Sequence, residues 1–206
     1  MAEGDGMVVE ASKIDGRRAR GIRTRDAIVN ALMDLIAGGD IAPTAQRIAD
    51  RAGVSVRSVY QHFTDVEGLY ADAAARSFDW VRSASPDIDP AWPLERRVDE
   101  FTESRASTLE MLTPFSRAAR IIEPTSTTIS DNRLAMQKWG RDRVAKVFGP
   151  ELARVEGADR ACLLGALDTL SSAEAWEHLR TSGHSVKSAR QVMRAGIIAL
   201  LASVNG

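Results

Sequence analysis

One short segment carries side chains suited to hydrogen bonding with nucleic acid. In VRSVYQHF, residues 56–63, Val56, Val59 and Phe63 recur at helical spacing and would face inward. The opposite side then presents Arg57, Ser58, Tyr60, Gln61 and His62. Arg and Gln make bidentate hydrogen bonds to base edges in the major groove, whereas Tyr and His would reach phosphates that fix the docking register. The segment as a whole predicts DNA contact, although Arg57 or Gln61 alone would also suit an ordinary surface helix.

A helix-turn-helix is predicted to position this segment. Thr44 suits the N-cap of a helix whose apolar stripe is Ala45, Ile48, Ala49 and Ala52. Gly53 supplies a left-handed turn, Val54 fills the angle, and Ser55 caps the second helix. An earlier amphipathic helix, capped by Thr24, would pack across both through Ala27, Ile28, Ala31, Leu32, Leu35 and Ile36.

The run IADRAGVSVRSVYQHFTDVEGLY resembles the signature of the TetR/AcrR family of bacterial transcriptional regulators. The matching positions are Ile48, Ala49, Ala52, Gly53, Val54, Ser55, Tyr60, His62, Phe63 and Leu69. The family commonly has a Lys three residues after the Phe. This chain has Val66 there, which puts one expected phosphate contact in question, although the amides of the next helix N-terminus remain candidates. Predicted DNA contacts are Arg23, Thr44, Arg47, Ser55, Val56, Arg57, Ser58, Tyr60, Gln61 and His62.

Charge is distributed unevenly along the 206 residues. Residues 13–63 hold nine Lys or Arg against five Asp or Glu, whereas the net charge of the whole chain is only -1. A basic head on a mildly acidic body favours a DNA-binding domain with a separate body. We predict a disordered basic arm over residues 1–22, and we expect the arginines up to Arg25 to follow phosphates or enter a minor groove. The alternative is a solvated tail.

The chain is predicted to be all-α, with about nine helices, because alternating β-branched runs are absent. A three-helix DNA-binding domain is expected over residues 23–70, with the helix-turn-helix at about 44–63, and a helical effector-binding and dimerisation domain over 71–206. Since prolines end helices, Pro114 should open a short sixth helix, and Ser130 or Thr128 should cap a seventh. Two long helices, at about 158–180 and from Ser185 to about Ser203, would finish the chain.

The resemblance implies that the body holds a small molecule. The predicted members of its site are Phe101, Met111, Phe115, Trp139 and Trp176, with Arg105 and Asp168 as polar members. A lining with so few polar groups predicts an apolar or amphipathic ligand. Core packing is the alternative for each aromatic residue, and a structural hydrogen bond is the alternative for Asp168.

The resemblance also implies a homodimer in which the last two helices pair with their copies. The predicted interface is Ala161, Leu164, Gly165, Ser172, Ala175, Ala189, Met193, Gly196, Ile197 and Leu200. The alternative is that these stripes form the core of one subunit. An independent reason for dimerisation is that a two-fold dimer reads a palindrome with better specificity than one half-site allows.

No set of residues predicts catalysis or a cofactor. A Cys/His cluster, a phosphate-binding glycine loop and a G-x-S-x-G elbow are absent from the sequence. Glu174 and His178 are spaced i, i+4, but two ligands are too few for a metal site. The single cysteine, Cys162, and the lack of an apolar run of about 20 residues favour a cytoplasmic protein without membrane contact.

These patterns predict a regulator that binds double-stranded DNA and responds to a ligand. We expect a repressor that a small molecule releases from a palindromic operator. The alternative is an effector-independent DNA-binding dimer whose body serves only for dimerisation or for a protein partner. A ligand-sized internal cavity with a polar anchor would favour the first hypothesis.

Overall fold

The computed structural model describes residues 4–203, with side chains from Arg18 onward. Within this part the chain is all-helical, which confirms the predicted fold class. The ten α-helices are α1 (Gly4–Ala37), α2 (Ala45–Ala52), α3 (Val56–His62), α4 (Val66–Ala84), α5 (Leu94–Ile122), α6 (Thr127–Val147), α7 (Gly149–Leu152), α8 (Gly157–Leu170), α9 (Ala173–Thr181) and α10 (Val186–Ala202). A 3-10 turn, Glu123–Thr125, joins α5 to α6.

The described residues form two compact units. The first comprises residues up to Arg76 together with Arg117–Ile129, and the second comprises Ser77–Ser116 and the residues from Ser130 onward. The sequence predicted a simpler division near residue 70, with everything beyond it in one body. Ser126, which is buried, donates a hydrogen bond to Glu67 Oε1 at 2.6 Å and so ties the Arg117–Ile129 segment to α4 inside the first unit.

The core of the first unit is where α1 packs on α2 and α3. Its buried side chains include Ile28, Val29, Leu32, Ile36, Ile48, Ala49, Val59 and Phe63. The predicted caps of the helix-turn-helix are confirmed, since Thr44 Oγ1 accepts from the Arg47 amide and Ser55 Oγ accepts from the Ser58 amide. Each such cap contributes about 1 kcal/mol.

The N-terminal region differs from our prediction of a disordered arm over residues 1–22. α1 is continuous from Gly4 to Ala37, so Thr24 lies inside the helix and does not cap it. No proline interrupts this stretch, and the physical basis for a break near Thr24 is therefore missing. Residues 1–3 lie outside the described part.

Gly53 ends α2 in the left-handed conformation, with φ of 67°. A Cβ at this position meets no atom within 4 Å, so the cost of a side chain comes from the backbone alone. We expect Gly53→Ala to lower the free energy of unfolding by about 1–2 kcal/mol. Gly53→Asn is the matched control and should cost less, because Asn tolerates this conformation better. Denaturant titration of both variants measures the difference, and equal losses would point to a clash instead.

The second unit has a core built around the last three helices and α5. Phe101, Phe148, Leu152, Leu167, Trp176, Met193 and Ile197 are among its buried side chains. The rings of Phe101 and Phe148 pack edge to face, with their centroids 5.3 Å apart. α8 and α9 both contact α10. The cap predicted at Ser185 is confirmed by its hydrogen bond from the Ser188 amide.

Three predicted helix boundaries in this part of the chain are wrong. α5 continues through Pro114, although proline has no N–H group to donate to the preceding turn. α6 begins at Thr127 and is capped by neither Ser130 nor Thr128, since Ser126 Oγ accepts from the Ile129 amide. The predicted long helix at 158–180 is divided into α8 and α9, because Ser172 adopts an extended conformation and caps α9 by accepting from the Ala175 amide.

Candidate DNA-contacting surface

The exposed face of α3 presents Arg57, Tyr60 and Gln61, which are spaced i, i+3, i+4. Their side chains make no hydrogen bond or ion pair with any residue that the structure describes. Val59 and Phe63, on the opposite side, are buried against the first unit's core. Helical neighbours at this spacing share one face, so α3 offers a guanidinium, a phenol and an amide together toward solvent.

Phe63 and Arg25 fix the C-terminal end of α3. Arg25 Nη1 donates to the His62 carbonyl at 2.8 Å, and Nη2 lies 2.8 Å from Asp72 Oδ2. The Arg25 guanidinium also stacks over the Phe63 ring at 4.1 Å. Our expectation that Arg25 follows phosphates as part of the basic arm did not include these bonds, in which Arg25 joins α1, α3 and α4.

The other predicted DNA contacts have different surroundings. The hydroxyls of Thr44 and Ser55 serve as helix caps. Arg47 is exposed but pairs with Asp40, and Arg23 is exposed on α1. Val56, Ser58 and His62 are half-buried. All of these residues therefore lie in the first unit. The side chains that are free to bond are those of Arg57, Tyr60 and Gln61 on α3.

The N-terminus of α4 is less suited to phosphate than we expected. Val66, at the position where the resembled family has a Lys, is exposed and supplies no charge. Asp65 Oδ1 accepts from the Gly68 amide at 2.7 Å, so a carboxylate already occupies part of this helix end. An anionic cap satisfies the helix dipole and opposes the approach of a phosphate.

The predicted ligand residues divide into two groups. Phe101 and Trp176 are fully buried, so both are core residues of the second unit. Trp176 Nε1 also donates to Glu110 at 3.1 Å. Met111, Phe115 and Trp139 are half-buried. Asp168 Oδ2 lies 3.3 Å from Arg141 Nη1 in a part-exposed ion pair. This pair corresponds to the structural bond that the sequence analysis gave for Asp168 as the alternative to a ligand contact.

Several residues of the predicted dimer interface lie inside one subunit instead. Ala189, Met193 and Ile197 are completely or almost completely buried in the second unit's core. Gly196 faces Leu170 of the same chain, since a Cβ built there would lie 2.9 Å from Leu170 Cδ1. Leu164 and Leu200 pack against that core, Ser172 caps α9, Gly165 and Ala175 are half-buried, and Ala161 is exposed. Met193 and Ile197 therefore face the core of their own subunit, and the dimer interface itself stays a prediction.

The outer face of α10 is apolar and exposed. It presents Val192, Ala195, Ile198, Ala199 and Ala202, of which Val192 is 40% exposed and Ile198 is 37% exposed. Sequence reasoning did not separate this face because Ala and Ile occur on both sides of α10. The signal that could have separated the sides is size, since the larger Met193, Ile197 and Leu201 face the core.

No three His, Cys, Asp or Glu side chains converge as metal ligands among the residues that the structure describes. Glu174 and His178 are both exposed on α9. No helix in the described part is long and apolar enough to cross a membrane.

Taken together, a capped helix-turn-helix on a three-helix core and a second, all-helical unit define a DNA-binding protein of the helix-turn-helix class. The sequence pattern of the bacterial regulatory proteins of the tetR family matches residues 28–73, which contain α2, α3 and the start of α4. The match covers the DNA-binding domain, and over these residues the chain is similar to the tetR family. No curated protein matches the sequence.

Solved structures share the whole fold at low sequence identity. A transcriptional regulator from Rhodococcus sp. Rha1 is 15% identical over 87% of this chain and 96% of its own, with a TM-score of 0.65. A tetR-family transcriptional regulator from Streptomyces coelicolor is 17% identical over 87% of this chain and 82% of its own, also with a TM-score of 0.65. The multidrug binding protein EbrR, complexed with imidazole, is 19% identical over 84% of this chain and 94% of its own, with a TM-score of 0.55. These likenesses show that the chain shares the fold of these proteins.

Proposed function

We propose that the chain is a ligand-responsive repressor that binds a palindromic operator as a homodimer. The observation that carries the DNA-binding part is the exposed row of Arg57, Tyr60 and Gln61 on a helix whose other side is locked into a core. These side chains can bond to base edges and phosphates without breaking any bond inside the described part of the chain.

The proposed dimer uses the outer face of α10 together with the exposed part of α8. Ala161 and Cys162 are exposed on α8, and the exposed side chains of α10 are mainly apolar. Contiguous exposed apolar surface of this kind marks a protein–protein interface. A two-fold arrangement would give the operator matching half-sites.

Selection of binding sites from random DNA tests the proposal. Purified full-length protein is used at a fixed salt concentration, because phosphate contacts make affinity steeply salt-dependent. Recovery of a palindrome supports a dimeric, sequence-specific reader. Recovery of unrelated sequences, with binding that disappears as salt rises, contradicts it.

Arg57→Ala is expected to relax the selected motif at particular base pairs, at a cost of about 1–3 kcal/mol for a lost bidentate contact. Tyr60→Phe should instead weaken binding to all sequences about equally, since a phosphate contact carries no sequence information. Arg51→Ala is the matched control, because this exposed arginine lies on α2 and is bonded to Asp34. An unchanged motif with Arg57→Ala would refute the assigned base contact.

The alternative, an effector-independent DNA-binding dimer, is favoured by one observation. Phe101 and Trp176, which were predicted to line a cavity, fill the core of the second unit. The two hypotheses differ in whether any small molecule bound by the second unit changes operator affinity. Because linkage is reciprocal, a ligand that weakens DNA binding must itself bind more weakly to the DNA complex.

A further inference from the structure

Two arginines of the second unit, Arg105 on α5 and Arg143 on α6, have no carboxylate partner among the described residues. The contrast with their neighbours is clear, since Arg97, Arg141, Arg180 and Arg194 each pair with an Asp or Glu. Arg105 Nε donates to the Ser171 carbonyl at 2.7 Å, and Arg143 Nη2 makes a long contact of 3.4 Å with Ser104 Oγ. Both partners are uncharged, so neither bond neutralises a guanidinium.

The terminal nitrogens of Arg105 remain available. Nη1 and Nη2 donate to no acceptor in the described part of the chain. The buried polar atoms that lack a partner there are Asp40 Oδ2 and Arg190 Nε, and they do not include these two nitrogens. Nη2 fits closely over Gly140 of α6, where a Cβ would lie 3.4 Å away. The absence of a side chain at Gly140 therefore lets the planar end of Arg105 lie beside α6.

The surroundings keep this charge poorly solvated. Burial, together with the nearby positive charge of Arg143, lowers the pKa of Arg105 to about 10, while Asp168 and Glu174 act in the opposite direction. Burial also lowers the pKa of Arg143, while the charge of Asp87, which pairs with Lys146, acts in the opposite direction. Asp168 pairs with Arg141, and Glu174 is exposed, so neither carboxylate bonds to Arg105. A desolvated cation without a counter-ion is unfavourable, and a bound anion would relieve that cost.

An aromatic surface lies next to the two cations. The Arg143 guanidinium sits 5.5 Å from the Trp139 ring centroid, and Phe78 packs edge to face against Trp139 at 6.2 Å. Trp139 is half-buried, so part of this residue is accessible to solvent. A planar apolar group can pack on such a surface while its charged end reaches Arg105.

We propose that the second unit binds a small carboxylate that carries a planar apolar group. The Arg105 guanidinium holds the carboxylate, with Arg143 as the second cation, and the planar group packs against Trp139. This inference rests on the proposed ligand-responsive function and assigns the chemical class of the effector. A guanidinium fork matches a carboxylate in two parallel hydrogen bonds, which gives selectivity over a neutral analogue.

The test uses 2-naphthoate and its neutral analogue 2-naphthamide, titrated into full-length protein by calorimetry, with tryptophan fluorescence as a second readout. We expect 2-naphthoate to bind more tightly than 2-naphthamide, and Arg105→Gln to weaken 2-naphthoate by about 10- to 100-fold without changing 2-naphthamide. Arg96→Gln is the matched control, because Arg96 is exposed on the same helix and stacks on Trp92. Arg143→Gln should give a smaller loss, and it supplies a second variant if Arg105→Gln fails to fold.

Equal affinity for the acid and the amide, no binding of the acid, or unchanged binding of the acid in both arginine variants would overturn the assignment. Operator binding is measured separately, by the selection described above and without any added ligand. Binding of 2-naphthoate that leaves operator affinity unchanged would support the anion site and contradict ligand-responsive repression. Absence of a selected operator would contradict the DNA-binding proposal and leave the test of the anion site intact.

Discussion

Arg97→Ala is expected to lower the free energy of unfolding by about 3–5 kcal/mol, because it leaves a buried carboxylate without its counter-ion. Arg97 and Glu151 have side chains that are only 4% and 3% exposed, and two hydrogen bonds of 2.7 and 2.8 Å join them in a bidentate pair. Arg97 also donates to the carbonyls of Trp92 and Val147. The substitution would therefore leave one buried charge and two carbonyl groups without these donors.

Denaturant titration at neutral pH measures this loss. Arg96→Ala is the control on the adjacent, exposed residue and should cost no more than about 1 kcal/mol, the value of an exposed cation–π contact. The double variant Arg97→Met with Glu151→Leu should recover much of the stability, since replacing both ions removes the unpaired charge. A loss below 1 kcal/mol for Arg97→Ala would show that the pair contributes little to folding.

The same pair makes stability depend on pH. Burial by itself would raise the pKa of Glu151, but the hydrogen bonds and positive charge of Arg97 outweigh it and hold that pKa below its ordinary value. The native state then favours the ionised form, so the contribution is complete above the ordinary carboxyl pKa, about 4.3, and is lost as pH falls through the lower native pKa. The difference in stability between wild type and Arg97→Ala should therefore shrink at acidic pH.

Ala195→Arg should convert the proposed dimer into monomers and weaken operator binding by about 100-fold or more, as expected when two linked half-site contacts become one. Ala195 is exposed in the middle of the outer face of α10, between Val192 and Ile198. A long cation there would be forced into an apolar interface without a partner, at a high desolvation cost. Sedimentation measures the oligomeric state, and DNA binding is measured with the palindrome recovered by selection.

Ala135→Arg is the matched control, because Ala135 is an exposed residue of α6 and the chemical change is the same. It should leave both sedimentation and operator affinity unchanged. A dimer that persists in Ala195→Arg would exclude the outer face of α10 as the interface. Loss of operator binding by a variant that remains dimeric would indicate that the substitution acts by another route.

The local features of the DNA-binding domain could be predicted from the amino-acid sequence alone. Thr44, Gly53 and Ser55 were assigned correctly as caps and turn, because each acts on backbone groups within three or four residues. The inward Val59 and Phe63 followed from helical periodicity for the same reason. The family signature lies within this locally determined stretch, which is why the class of protein could be inferred before the fold was known.

Features that depend on distant parts of the chain could not be predicted in this way, because they require the folded arrangement of the helices. Ser126 caps α6 and bonds to Glu67, 59 residues away, and Arg97 finds Glu151 across 54 residues. The inner and outer faces of α10 are both apolar, and packing against α8 and α9 shows which one is the core: Met193 is buried and Ala195 is exposed. Likewise, Arg97 and Arg105 lie on the same helix and have the same side chain. The packing of α5 against its neighbours places a carboxylate beside Arg97 and a carbonyl group beside Arg105. A helix pattern specifies an apolar face, but the partner that covers that face is specified by the fold.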